Sequence, residues 1–160
     1  MARVHLRNAK AMNDSKSFEE ALVHVNKSLE FYPLQNGMRL KGSCLLLLGR
    51  FTEALEAFSE CISMKPGLTI FFICLILTDD CRSFNSRGTV YCVLEQYENA
   101  LKDYETAIKL KPDDLAYLTN RASVLRDLKR TKEAIESFQY ILSSILKNKE
   151  IFIVKGIIIM

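Results

Sequence analysis

Two histidines, five cysteines and the loop-like triplet Lys41-Gly42-Ser43 are the residues of this 160-residue chain whose chemistry must be asked about first. A hydrolase or metalloenzyme needs acid, base, nucleophile or metal ligands held at short range. His5 and His24 form no HExxH pair, and Cys44, Cys61, Cys74, Cys81 and Cys92 show neither CxxC nor zinc-ligand spacing. Lys41-Gly42-Ser43 has the ending of a phosphate-binding loop, but Asn36-Gly37-Met38-Arg39-Leu40 before it lacks the GxxxxGK spacing. Neither GxGxxG nor GxSxG occurs. His24 reads as a surface or interface residue, and Cys61 and Cys92 as small apolar fillers. The expectation is a protein that is not an enzyme and that carries no cofactor and no metal.

Composition narrows the partners. Net charge is only +3, from 22 Lys and Arg against 19 Asp and Glu, which implies neither a nucleic-acid nor a membrane footprint. The longest apolar run, Ile70 to Leu77, is eight residues, far short of the roughly 20 that span a bilayer as a helix. Arg3, His5, Arg7 and Lys10 interrupt the first twelve residues, so no continuous signal-peptide core is present there. With an odd number of cysteines, a cytoplasmic or nuclear chain with reduced thiols is expected, not a secreted one. Hydrophobic residues make up 49% and charged residues 26%, an ordinary folded balance.

What must position any functional residue is a repeat. Phe51-Thr-Glu-Ala-Leu-Glu-Ala-Phe58 and Tyr97-Glu-Asn-Ala-Leu-Lys-Asp-Tyr104 share one register. Extended, it reads Ala54, Phe58, Cys61, Pro66 and then Ala100, Tyr104, Ala107, Pro112, with an earlier copy at Ala21, Val25, Ser28, Pro33. A later, degraded copy reads Ala134, Phe138, Ile141, with Leu146 in place of proline. Spacing of i, i+4, i+7 puts three side chains on one helix face. Upstream of each copy lies a second helix with the same spacing: His5, Ala9, Met12; Met38, Gly42, Leu45; Phe84, Gly88, Tyr91; Leu118, Ala122, Leu125. The small middle residue of each triplet is where two helices cross closely. Ser17-Phe-Glu-Glu20 reads as a capping box.

This helix–turn–helix unit of about 34 residues resembles the tetratricopeptide repeat (TPR), whose Gly-x2-Tyr, Ala-x3-Phe and Pro landmarks recur as Gly88-x2-Tyr91, Ala100-x3-Tyr104 and Pro112. The resemblance covers residues 2–68 as copies one and two and 81–148 as copies three and four, the fourth degenerate. It implies an all-α, right-handed superhelical array of antiparallel helix pairs, since a single repeat cannot bury its own apolar face. Two departures stand out: His5 at a bulky position, and Lys41 or Arg87 where the family has leucine before glycine.

The resemblance further implies a non-catalytic adaptor or scaffold binding a protein or peptide partner. The first helix of each repeat lines a concave groove in this family, with positions 2, 5, 9 and 12 of each repeat facing it. Here these are Arg3, Leu6, Lys10, Asn13; Asn36, Arg39, Ser43, Leu46; Arg82, Asn85, Thr89, Cys92; and Ala116, Thr119, Ser123, Arg126. Arg39, Arg82 and Arg126 offer forked donors to carboxylates or carbonyls. Asn85, Thr89, Thr119, Ser123 and Ser43 add neutral polar groups. Some members grip a chaperone's C-terminal carboxylate with Lys and Asn, then Asn, then Lys and Arg. The matching positions here read Leu6, Lys10, Leu40, Arg82, Ser86 in the first three copies, and Arg39, Ser43, Ser86, Ala116, Asn120 in the last three. Neither set is that clamp.

Two apolar stretches stand outside the register. From Ala54 to Ala100 is 46 residues, 12 more than the later interval, and the excess falls at residues 69–80. The tail, 149–160, has the same β-branched character. Three readings stand for these stretches: elements packed into a core, exposed surface for a partner or membrane, or sequence foreign to the array. They give two alternatives to the adaptor: a subunit that self-associates or joins a complex through them, and a membrane-peripheral module. The insertion is expected to interrupt the stacking of copy two on copy three.

Overall fold

The computed structural model describes residues 18–31, 34–64 and 79–158, with side chains in the last segment from 80 to 146. The first helix expected for copy one, with Arg3, Leu6, Lys10 and Asn13, lies outside the described residues, as do Ser17, Pro33, Pro66 and residues 69–78 of the insertion. Among the described residues there are seven helices and no strand: α1 (Phe18–Phe31), α2 (Gln35–Leu47), α3 (Phe51–Ser63), α4 (Asp79–Val93), α5 (Tyr97–Leu110), α6 (Leu115–Asp127) and α7 (Thr131–Ile158). Thus α1 is the second helix of copy one, and α2–α3, α4–α5 and α6–α7 are the helix pairs of copies two, three and four.

Each pair forms because the stripe read from sequence is buried. Ala54, Phe58 and Cys61 of α3, and Ala100, Tyr104 and Ala107 of α5, lose nearly all contact with solvent. Gly42 and Gly88 let the partner helix in: a Cβ on Gly42 would lie 2.8 Å from the Phe58 ring, and one on Gly88 2.9 Å from the Tyr104 ring. The two helices of a pair are joined by the same turn three times. Arg50, Gln96 and Arg130 donate their backbone N–H to the carbonyls of Leu45, Tyr91 and Leu125 at 2.8–2.9 Å. The residue before each is left-handed: Gly49 at φ +74°, Glu95 at +58° and Lys129 at +60°. Between pairs, Pro112 and Asp113 break the chain, and Asp114 caps α6 by accepting from the Ala116 N–H at 3.1 Å.

Packing runs from helix to next helix, α1 on α2 through to α6 on α7. One core takes in Ala21, Leu22 and Val25 of α1, Leu40, Cys44 and Leu45 of α2, Ala54, Ala57 and Phe58 of α3, and Val90 of α4. Copy two therefore packs directly on copy three across the insertion, and the stacking there is continuous. Two boundaries differ from the sequence reading. Asp79 and Asp80 begin α4 rather than ending the insertion, and α7 runs on through Ile158, so the stretch from 149 to 158 continues the last repeat helix.

Candidate functional site

The first helices of copies two, three and four are α2, α4 and α6, and polar side chains join neighbouring ones. Gln35 at the start of α2 donates its amide to the Asp80 carboxylate on α4 and, at 3.2 Å, to the Cys61 carbonyl. Asn120 of α6 donates Nδ2 to Asn85 Oδ1 of α4 at 2.9 Å. Because each carboxamide carries one acceptor and two donors, this bond leaves a free NH2 edge on Asn85 and an oxygen with spare lone pairs on Asn120.

The predicted residues fall on these three helices. Arg39 and Ser43 sit one turn apart on α2, Arg82, Asn85 and Thr89 along α4, and Thr119, Ser123 and Arg126 along α6. Arg82, Thr119 and Arg126 are exposed and the others half-buried. Their hydroxyls share one habit. Ser43 donates to the Arg39 carbonyl, Thr89 to Asn85, Thr119 to Leu115 and Ser123 to Thr119, at 2.7–3.0 Å. Each hydroxyl hydrogen is thereby committed to the helix's own backbone, and what remains is acceptor capacity. Thr89 also meets the Tyr104 hydroxyl at 3.3 Å, drawing it towards α5. The arginines differ as well. Arg39 Nη2 touches Asn36 Oδ1 at 3.3 Å, and its Nε is buried without a partner. Arg126 spends its fork on the adjacent Asp127 at 2.9–3.0 Å.

Arg87, at a position where the family has leucine, and Arg121 stand outside the expected site residues. In the structure both are struts. Arg87 makes a two-pronged bond to Asp103 of α5, 2.8 Å on each prong, and reaches Ser59 of α3 at 3.2 Å. Its guanidinium lies 5.7 Å from the Phe84 ring centre and 5.8 Å from that of Tyr91. The Asp103 carboxylate bonded to it raises the Arg87 pKa, so the charge is permanent. Arg121, at the same register position, donates to Ser137 of α7 at 3.1 Å and meets Glu105 of α5 at 3.5 Å. The signal was present: charge at an interior register position, with an acid or hydroxyl at the matching place one helix on.

Burial pushes the Cys44 thiol up to about 11 and raises that of Cys92, so both are protonated at neutral pH. Among the described residues no three His, Cys, Asp or Glu converge as a metal set, and no helix is long and apolar enough to cross a membrane. A half-open cleft of about 280 Å³ between α6 and α7 holds Arg121 and Glu133, each already tied to a neighbour, Glu133 to Arg130 at 2.7 Å.

Comparison with known proteins agrees with this geometry. Residues 81–114, and separately 40–67 and 115–149, match the tetratricopeptide repeat. The chain belongs to the tetratricopeptide repeat family, and its fold is the all-α solenoid of that family. The family is in general a non-catalytic interaction scaffold. Within it, the chain is 25% identical over 142 residues to the tetratricopeptide repeat-containing protein trd-1 of Caenorhabditis elegans, covering 88% of this chain and 17% of that one. It spans less than a fifth of the length of the curated relatives it matches. Among solved structures, MamA superposes with a TM-score of 0.78 at 17% identity, over 93% of this chain and 81% of that one. The first TPR of Spaghetti (RPAP3), solved with the HSP90 peptide SRMEEVD, superposes at 0.67 and 17% identity, over 80% and 93%.

Proposed function

We propose that this chain is a protein-interaction adaptor that takes a peptide or helical segment across the faces of α2, α4 and α6, in the concave groove of its array. One observation carries the reading. Those faces hold a row of polar groups whose remaining capacity is complementary to a peptide. Arg39 supplies charge for acidic side chains, the Asn85 amide supplies donors, and Ser43, Ser123 and Asn120 supply acceptors for backbone N–H, while Arg82 adds positive charge on α4. Arg126 contributes less, because Asp127 offsets its charge. That RPAP3 was solved with a peptide supports the mode of binding, not the same ligand. A cytoplasmic setting goes with this reading.

Random peptides selected by phage display on the intact 160-residue chain supply the probe. The double variant R39E/R82E is expected to weaken the selected peptides about tenfold. Undiminished binding, or amide shifts confined to α3 and α5, would overturn the groove reading. The chaperone-tail peptide SRMEEVD is expected to give no saturable binding, because Leu40 and Ala116 stand where the clamp needs a polar or basic group, and Ser86 where it needs Asn or Arg. Saturation by that peptide would mean a divergent clamp.

A further inference from the structure

The surface that separates the last helix from the inner ones lies on α7. At three junctions the second helix of a copy is roofed by the first helix of the next, and two register positions are closed each time, that of Val25, Phe58 and Tyr104 and that of Ser28, Cys61 and Ala107. Leu22, Val25 and Ser28 of α1 are at most 8% exposed, Phe58 and Cys61 of α3 are 0%, and Leu101, Tyr104 and Ala107 of α5 are at most 4%. On α7 the residue matching Phe58 and Tyr104 opens, Phe138 at 40%, and so do Ile135 at 51% and Leu142, one turn on, at 57%, while Ile141, matching Cys61 and Ala107, stays at 8%. Spaced i, i+3, i+7, Ile135, Phe138 and Leu142 form one apolar stripe along the helix.

The inner junctions also show what fits such a stripe. The roofing helix places one residue against Cys61 or Ala107: Ser83 Oγ lies 3.1 Å from Cys61 Sγ, and Tyr117 packs in one cluster with Ala107. Seven residues later an apolar side chain joins the aromatic's cluster, Val90 with Phe58 and Val124 with Tyr104. Between them a polar side chain reaches across, Arg87 to Ser59 and Arg121 to Glu105. The alignment of Ala9 with Gly42, Gly88 and Ala122 assigns these three roles in copy one to Val4, Ala11 and Asn8. Their counterparts on α7 are Ile141, Phe138 and Gln139. Apolar would meet apolar, and amide would meet amide.

We propose that the chain associates head to tail with itself, residues 4–11 of a second copy lying on the Ile135–Phe138–Leu142 stripe of α7. The interface is heterologous: each copy offers one face and receives on the other, so association does not close at two chains. It uses neither the polar faces of α2, α4 and α6 nor the insertion.

Sedimentation of the intact chain tests it. The weight-average mass is expected to exceed 18.3 kDa and to rise with concentration without levelling at two chains. I135E/L142E blocks the receiving face at exposed positions, and V4E/A11E blocks the donating one. Each variant alone is expected to stay at the single-chain mass, with the helix content and melting midpoint of the intact chain. If I135E/L142E loses helix content, F138S takes its place on the same readout. Mixed, a receiving-face variant and V4E/A11E are expected to restore a two-chain species and nothing larger. An intact chain that stays single at every concentration overturns the proposal. So does association by V4E/A11E alone, which would mean that α7 meets α7, and so does a receiving-face variant that assembles like the intact chain.

Discussion

Copies three and four put an arginine at the same place and give it different company. Arg87 is held by both oxygens of a buried aspartate and lies between two rings, whereas Arg121 has a serine and a 3.5 Å contact to a half-exposed glutamate. The contrast extends to the crossing point. Gly88 lets the Tyr104 ring lie almost on the α4 backbone, and the Tyr104 hydroxyl reaches Thr89 and Cys92 at 3.3 and 3.4 Å. Ala122 puts a methyl group at the same crossing, and Phe138 faces solvent. One register thus supports both a closed, cross-braced repeat and an open one. What closes a repeat is a small residue at the crossing together with a following helix over the aromatic.

The largest expected effect lies at the brace. Asp103→Ala leaves a half-buried guanidinium without its partner and is expected to cost about 3 kcal/mol in urea unfolding. Arg87→Leu combined with Asp103→Leu is expected to recover most of that loss, because two apolar groups replace a buried pair. Arg121→Leu, by contrast, is expected to change stability by less than about 1 kcal/mol, because its ion pair is long and partly in water. Equal losses at Asp103 and Arg121 would erase the distinction between the two copies.

Next comes the crossing. Gly88→Ala brings a methyl group to 2.9 Å from the Tyr104 ring and is expected to cost about 1–3 kcal/mol. The reverse change in copy four, Ala122→Gly, is expected to cost about 1–2 kcal/mol, from helix propensity and the loss of a buried methyl group. A neutral Gly88→Ala would mean that the ring yields freely. At the turns, Glu95→Gly and Lys129→Gly are each expected to raise stability by up to about 1 kcal/mol, because only Gly49 now meets the left-handed geometry without a Cβ. Thermal melts of the two single variants check this.

The smallest effect is on pH. The Lys111 ammonium holds the Asp114 carboxyl below its usual range, and Arg50 and Arg130 do the same for Glu53 and Glu133. A depressed folded-state pKa gives stability that is complete above the unfolded value, roughly 4, and is lost as pH falls through the folded one. A shallow loss below pH of about 4 is expected from copies two and four. Copy three has Gln96 and Asn99 at the places of Arg50 and Glu53, bonded amide to amide at 3.0 Å, and its turn is expected to be indifferent to acid. Chemical-shift titration of the three turns separates them.

The helix pairs were legible because Ala54–Phe58–Cys61 and Ala100–Tyr104–Ala107 encode face and crossing at once. The true length of α7 was not, because Ile151-Phe-Ile-Val154 satisfies strand and helix patterns equally over so few residues. Among the groove residues, position along α2, α4 and α6 could be read. The loss of hydroxyl donors to the backbone could not, since bonding to the i−4 carbonyl is a choice of rotamer. Nor could the exposure of Phe138: it is as aromatic as Phe58 and Tyr104, and its burial depends on what is placed over it rather than on its own type.

The junction between α3 and α4 closes over residues 64–78, while that between α5 and α6 needs only 111–114. Most other contacts along the array are between successive helices joined by short turns, the kind that forms fast. Closing the longer connection costs about 0.6 kcal/mol for each doubling of chain length, about 1.2 kcal/mol for this pair. That is a small charge on stability but a delay in assembly. Val90 joins the core of Phe58 across this junction. The chain should therefore zip from two centres and join at α4 last, and amide hydrogens at that seam are expected to gain protection after those within α2–α3 and α4–α5.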